Sequence, residues 1–157
     1  MRPVKLRLLV AATAFALGVV LAPAPARACT ISSAGVAFGA YDPQAAGAED
    51  STGTVRADCH PSESAPIVAL GTGQSGSFAA RTMTSGPYTL GYNIYSDSGR
   101  TIVWGDGTGG TVTVTMTGGS VSGGVRRFTR TMYGRIPAQQ NVGAGSYTDT
   151  VMLTVTF

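Results

Sequence analysis

From residue 36 onward, apolar side chains recur at every second position, the spacing that places them on one face of an extended strand. Val36 and Phe38 alternate with small residues ahead of a Tyr41-Asp42-Pro43 turn. Ile67 to Leu70 is a short apolar run. Leu90, Tyr92 and Ile94 share one face, with Thr89, Gly91, Asn93 and Tyr95 on the other. Ile102 and Trp104 follow across a Ser96-Asp97-Ser98-Gly99 turn, in the spacing of a hairpin. Val112, Val114 and Met116 alternate with Thr111, Thr113, Thr115 and Thr117; Phe128, Arg130 and Met132 alternate with Thr129, Thr131 and Tyr133. Val151, Leu153, Val155 and Phe157 alternate with Met152, Thr154 and Thr156. About seven short strands, separated by clusters of Gly, Pro, Asp and Ser, predict an all-β sandwich. The Ala-rich stretch from Gln44 to Asp50 is interrupted by Gly47 and reads as a loop, and no 3.6-residue period follows residue 28.

The chain ahead of these strands follows a different rule. Arg2, Lys5 and Arg7 precede an uncharged apolar run from Leu8 to Leu21, and Ala26-Arg27-Ala28 ends in the small-residue pattern of a cleavage site. This is the layout of a secretory signal peptide over residues 1–28, leaving one domain over 29–157. The run is shorter than the roughly 20 residues a membrane-spanning helix needs, and no later segment is longer or more apolar. Cleavage after Ala28 would make Cys29 the first residue, the position a lipoprotein acylates, but Ala26 and Arg27 fit poorly at −3 and −2 of that signal.

Removing the leader reverses the charge. The whole chain carries +3, but Arg2, Lys5, Arg7 and Arg27 lie in the leader; the remainder has seven Arg against eight acids, a net −1. Bulk electrostatics then give no reason for nucleic-acid binding. Lys5 is the only lysine, so a lysine Schiff base is excluded after cleavage. The two cysteines, Cys29 and Cys59, both survive cleavage, and in an oxidising compartment an isolated pair forms one disulfide.

Candidate chemistry is thin. Asp58-Cys59-His60-Pro61-Ser62 holds residue types used in nucleophilic catalysis, but adjacent residues at a strand end point in different directions, so it reads as a surface loop beside a disulfide. His60 is the only histidine, and one His with a paired Cys does not make a metal site. Gly105-Asp106-Gly107-Thr108-Gly109-Gly110 lacks the Lys-Ser/Thr ending of a phosphate loop and reads as a turn, with Asp106 a weak calcium candidate. Arg126, Arg127 and Arg130 read as a solvated strand edge, and Trp104 and the six tyrosines as core and corner residues. Neither a cofactor nor an enzymatic activity is expected. The last alternating strand is the exception to this plainness: residues 150–157 carry no charge and no proline, the devices that normally blunt an apolar edge strand. Either this edge is buried within the fold or another chain covers it.

Several stretches, taken in order, resemble the spore coat protein U domain family, which includes the archaic chaperone–usher (Csu-type) pilins. They are Cys29 with Val36-Ala37-Phe38-Gly39-Ala40-Tyr41-Asp42-Pro43, Cys59, Leu90-Gly91-Tyr92-Asn93-Ile94-Tyr95, and Trp104 through Thr111. They continue with Tyr133-Gly134-Arg135-Ile136-Pro137-Ala138-Gln139-Gln140 and Gly145-Ser146-Tyr147-Thr148-Asp149-Thr150-Val151. The resemblance implies an immunoglobulin-like sandwich lacking its final strand, and a hydrophobic groove that a periplasmic chaperone fills before a neighbouring pilin subunit's donor strand replaces it at an outer-membrane usher. Groove residues are then expected from the last strand, Val151, Leu153, Val155 and Phe157, with Val112 and Val114 in the facing core. The export signal leaves no donor segment ahead of Cys29, so the expected role is a tip or terminal subunit, structural or adhesive. The alternative is a self-contained secreted coat or matrix protein with the same fold and no strand exchange. The route implied is through the periplasm to the cell surface or an extracellular fibre.

Overall fold

The computed structural model describes residues 29–157; the expected leader lies outside the described residues. The domain is all-β apart from a single 3-10 turn at Gly73–Ser75. Its strands are β1 (Thr30–Ala34), β2 (Glu49–Cys59), β3 (Ile67–Leu70), β4 (Arg81–Ser85), β5 (Tyr88–Tyr95), β6 (Val114–Thr115), β7 (Ser120–Ser122), β8 (Val125–Ile136) and β9 (Leu153–Thr156).

Two antiparallel sheets pack face to face. The first runs β1-β2-β8-β5-β4, with β7 pairing a second stretch of β8; the second runs β6-β3-β9. The long pair β2–β8 is the spine, in register from Glu49 opposite Ile136 to Cys59 opposite Arg126. The order β1-β2-β8-β5 matches the ABED sheet of an immunoglobulin-like sandwich, with β4 added beyond D and the second sheet supplying C and F. β9 takes the F position, and among the described residues no strand lies beyond it at G.

The core lies where the inward faces meet. Val55 and Ala57 of β2, Val68 and Leu70 of β3, Leu90 and Ile94 of β5, and Phe128, Met132 and Ile136 of β8 are all buried. Trp104 is fully buried and its indole N–H donates to the Val68 carbonyl at 3.0 Å, binding the connection after β5 to the second sheet. Arg81 is also fully buried. Its guanidinium donates to the carbonyls of Gly71 and Trp104 and to Asn93 Oδ1, so every acceptor around it is uncharged. Burial lowers its pKa.

The expected disulfide joins Cys29 to Cys59 and pins the start of β1 to the end of β2. It leaves no thiol at Cys29 for a lipid thioether. The strand count rises from about seven to nine, and the Gln44–Asp50 loop gives way to β2 at Glu49. The hairpin expected across Ser96–Gly99 is present in short form: Tyr95 bridges Val103 antiparallel, the Ser96 amide donates to the Ile102 carbonyl at 3.0 Å and the Trp104 amide to the Ile94 carbonyl at 2.9 Å, around a turn in which Asp97 accepts from Thr101 and Ile102 and Arg100 takes a positive φ of 57°.

Candidate functional site

A sheet edge carries unpaired N–H and C=O groups unless something covers it. The edge strands are β1, β4 and the three-residue β7 of the first sheet and β6 and β9 of the second, and two of these edges are covered. β4 exchanges two backbone hydrogen bonds with Thr148 through Thr84, at 2.9 and 3.1 Å. At β6, Arg130 reaches the Thr115 carbonyl and Thr117 Oγ1. The outer edges of β1 and β9 pair with no described strand.

Those two open edges border the same cavity, about 290 Å³ in volume. Ser33 and Gly35 form one bank, Val151 and Leu153 the other, and the core residues Leu70, Ile94 and Met132 line it between them. A second cavity of about 650 Å³ continues it, walled by residues 39–41 and 142–146. The two share Val36, Phe38, Met83 and Tyr147.

Local sequence explains this shape. After β1 the chain stays extended and presents Val36 and Phe38 inward, both half-buried, and Phe38 meets the Tyr92 ring edge-on at 6.0 Å. They fit because residue 134 is glycine: a Cβ there would lie 2.5 Å from Val36 Cγ1 and 2.6 Å from Phe38 Cζ. The single charged residue lining the first cavity is Asp149. Its Oδ2 accepts from the Tyr92 hydroxyl at 2.7 Å, and its Oδ1 accepts from the Gln74 and Thr150 amides. Burial and this carboxylate together push the Tyr92 hydroxyl's pKa well up, so it stays a donor.

The residues expected to line a groove are divided by the structure. Val151 and Leu153 line the cavity. Val155 is half-buried against the core below it, and Phe157 is 59% exposed. Val114 packs on the core from β6, opposite Val68, and Val112 is half-buried beside Trp104; both lie at the far border of the second sheet. Sequence reasoning missed Met83, Tyr92, Met132, Tyr147 and Asp149 as lining residues, and took Val36 and Phe38 for a strand without assigning them to the groove.

The other candidate chemistry is dispersed. His60 is exposed, with Nδ1 2.8 Å from Ser62 Oγ, while Asp58 turns to Arg56 and Arg127 on the outer sheet face. Those two arginines hold the Asp58 carboxyl far below its ordinary value. Arg126 donates to the Glu63 carbonyl. Asp106 accepts from the amide and hydroxyl of Thr108 in a turn where Gly107, Gly109 and Gly110 take positive φ.

The Spore Coat Protein U domain family model matches residues 14–154. The chain belongs to that family. It is 35% identical over 147 residues to Protein U of Myxococcus xanthus, covering 83% of this chain and 78% of that protein. Among solved structures it is similar to a chain in the CsuC–CsuE chaperone–tip adhesion subunit pre-assembly complex from archaic chaperone–usher Csu pili of Acinetobacter baumannii. The TM-score is 0.57 and the identity 24%, covering 83% of this chain and 40% of the solved one, so this is a likeness of fold to two fifths of a longer chain. In this Spore Coat Protein U domain the motif residues hold the cavity walls. Tyr41 donates to the Pro137 carbonyl and accepts from the Gln140 amide, and the Gln140 side chain brackets both backbone groups of Gly91 at 2.8 Å.

Proposed function

We propose that this domain is an exported structural or adhesive subunit of a chaperone–usher fibre, and that it accepts a β-strand from another chain between β1 and β9. One observation carries this reading: two unpaired sheet edges, those of β1 and β9, border one cavity lined mostly by apolar side chains. A strand inserted there would pair with open backbone groups, place alternate side chains among Val36, Phe38, Val151 and Leu153, and complete the sandwich at the missing G position. A periplasmic chaperone would supply the strand first and a neighbouring subunit afterwards. The likeness to a chain of a chaperone–tip adhesion subunit pre-assembly complex supports that order of partners. The role is architectural and uses no catalytic group.

Leu153→Glu tests it. A charge on the β9 bank should abolish co-purification with a periplasmic chaperone and lower periplasmic yield, whereas the same change at exposed Thr154 should do neither. Normal yield and normal co-purification of Leu153→Glu would refute the reading. The second reading, a self-contained coat or matrix protein, draws on the family's spore-coat description and on a core already closed around Trp104 and Met116. A monomer that refolds reversibly and stays soluble without a chaperone would favour it. Chaperone and usher genes flanking the coding sequence would favour the fibre.

A further inference from the structure

Asp149 is a carboxylate in a cavity otherwise lined by uncharged residues. An ionised carboxylate offers about four acceptor sites. Three hydrogen bonds reach this one: the Gln74 and Thr150 amides on Oδ1 and the Tyr92 hydroxyl on Oδ2. Oδ2 therefore keeps an acceptor site. The nearby cation does not fill it, because the Arg81 guanidinium is committed to Gly71, Trp104 and Asn93. The carboxylate is also held in place: it packs against Gly73, where an added Cβ would fall 2.0 Å from Oδ2.

While the gap is open, water can satisfy Oδ2. A strand lying between β1 and β9 would displace that water. An apolar side chain arriving there would leave a buried charge short of a partner, and an acidic one would be repelled. A cationic side chain would replace the water with a charge-assisted hydrogen bond. We propose that Asp149 selects the accepted strand: the partner is a segment with alternating apolar residues that places one cationic side chain inward, against Asp149, within an otherwise apolar series. This rests on the strand-accepting reading and gives it a chemical specificity that an apolar groove alone would lack.

The test uses labelled nine-residue peptides of alternating valine and threonine, in which Lys, Leu or Glu is moved through the inward positions. Binding to the oxidised, leader-free chain is followed by fluorescence polarisation. At one inward position the Lys peptide should bind about tenfold tighter than the Glu peptide, with Leu between them. In Asp149→Asn, which still accepts the two backbone amides, that ratio should fall to about one. In Tyr92→Phe, which leaves the carboxylate charged and frees more of Oδ2, it should persist or rise. Equal binding of Lys and Glu peptides at every position, or a preference that survives in Asp149→Asn, would overturn the assignment while leaving strand acceptance standing. No binding by any peptide would overturn both.

Discussion

The disulfide is the point at which stability and the open gap depend on the same bond. Replacing Cys29 and Cys59 together by alanine releases a loop whose ends are 30 residues apart. The chain-entropy relation for a loop of that length assigns the cross-link about 3–4 kcal/mol of stability, acting through the unfolded state. A domain of this size is stable by only about 5–15 kcal/mol, so the loss is a large fraction, corresponding to a melting temperature lower by roughly 10–15 °C. The effect is also local. β1 pairs with β2 alone, and of its five residues only Ile31 is half-buried. With the bond gone, β1 has little apolar burial to hold it, and it forms one of the two open edges.

Urea unfolding of the oxidised parent and the double variant measures the global term, and amide exchange along Thr30–Ala34 measures the local one. The variant should unfold at lower urea, and its β1 amides should exchange by local opening before those of β2 and β8. A stability within about 1 kcal/mol of the parent, with β1 protection unchanged, would refute the assignment of the disulfide as the anchor of β1.

Trp104→Phe removes the indole bond to the Val68 carbonyl and leaves a void in a fully buried site; it should cost about 2–3 kcal/mol in urea unfolding. Gly134→Ala should push Val36 and Phe38 off the sheet, costing about 1–3 kcal/mol and weakening strand-peptide binding several-fold. Unchanged binding would show that this wall does not shape the gap. Arginines hold the carboxyls of Asp58 and Asp50 below their ordinary 3.8, so their contribution to stability is present above that value and is lost as pH falls through the lower folded one. The urea midpoint should decline below about pH 4, and Asp58→Asn should flatten that decline; identical acid limbs in parent and variant would count against the pairing.

Much of the fold was legible because period-two alternation reports which face of a strand is buried. β3 falls on the expected apolar run, and β5, β8 and β9 carry their expected faces inward. β2 escaped detection although it forms half of the spine. Its inward side chains are Ser51, Gly53, Val55, Ala57 and Cys59, kept small at Gly53 because β1 and Met132 press on it, and its outward ones are polar. An alternation of small against polar residues carries almost no hydropathy signal. β4 was hidden for the opposite reason. Its inward series starts with Arg81, a residue type that sequence patterns assign to solvent, and only three uncharged acceptors converging from distant segments make its burial tolerable.

Of the residues lining the cavity, the alternation singled out only Val151 and Leu153, and the reason is general. Alternation states which side of a strand faces the core, but it is silent on which strand lies beside it. Leu153 lies in β9 and Val151 just ahead of it, in an alternating stretch whose lack of charge and proline marks it as an edge that needs a cover. Val112 and Val114 also face the core, yet β3 lies between them and β9, and that strand order puts them at the opposite border from the opening. The residues across the cavity from Val151 and Leu153 come from the beginning of the domain, Ser33 to Phe38, more than a hundred residues away in the chain. Asp149 was hidden by the same logic: a lone acid among turn residues acquires a role only when the fold sets its carboxylate against Tyr92 inside an apolar cleft. If the domain functions by accepting a strand, the residues that decide which strand it takes belong to two edges, and edges are a property of strand order. That is why an Asp149 substitution, which leaves every alternating strand intact, is the sharper probe of partner choice than any change to the apolar pattern itself.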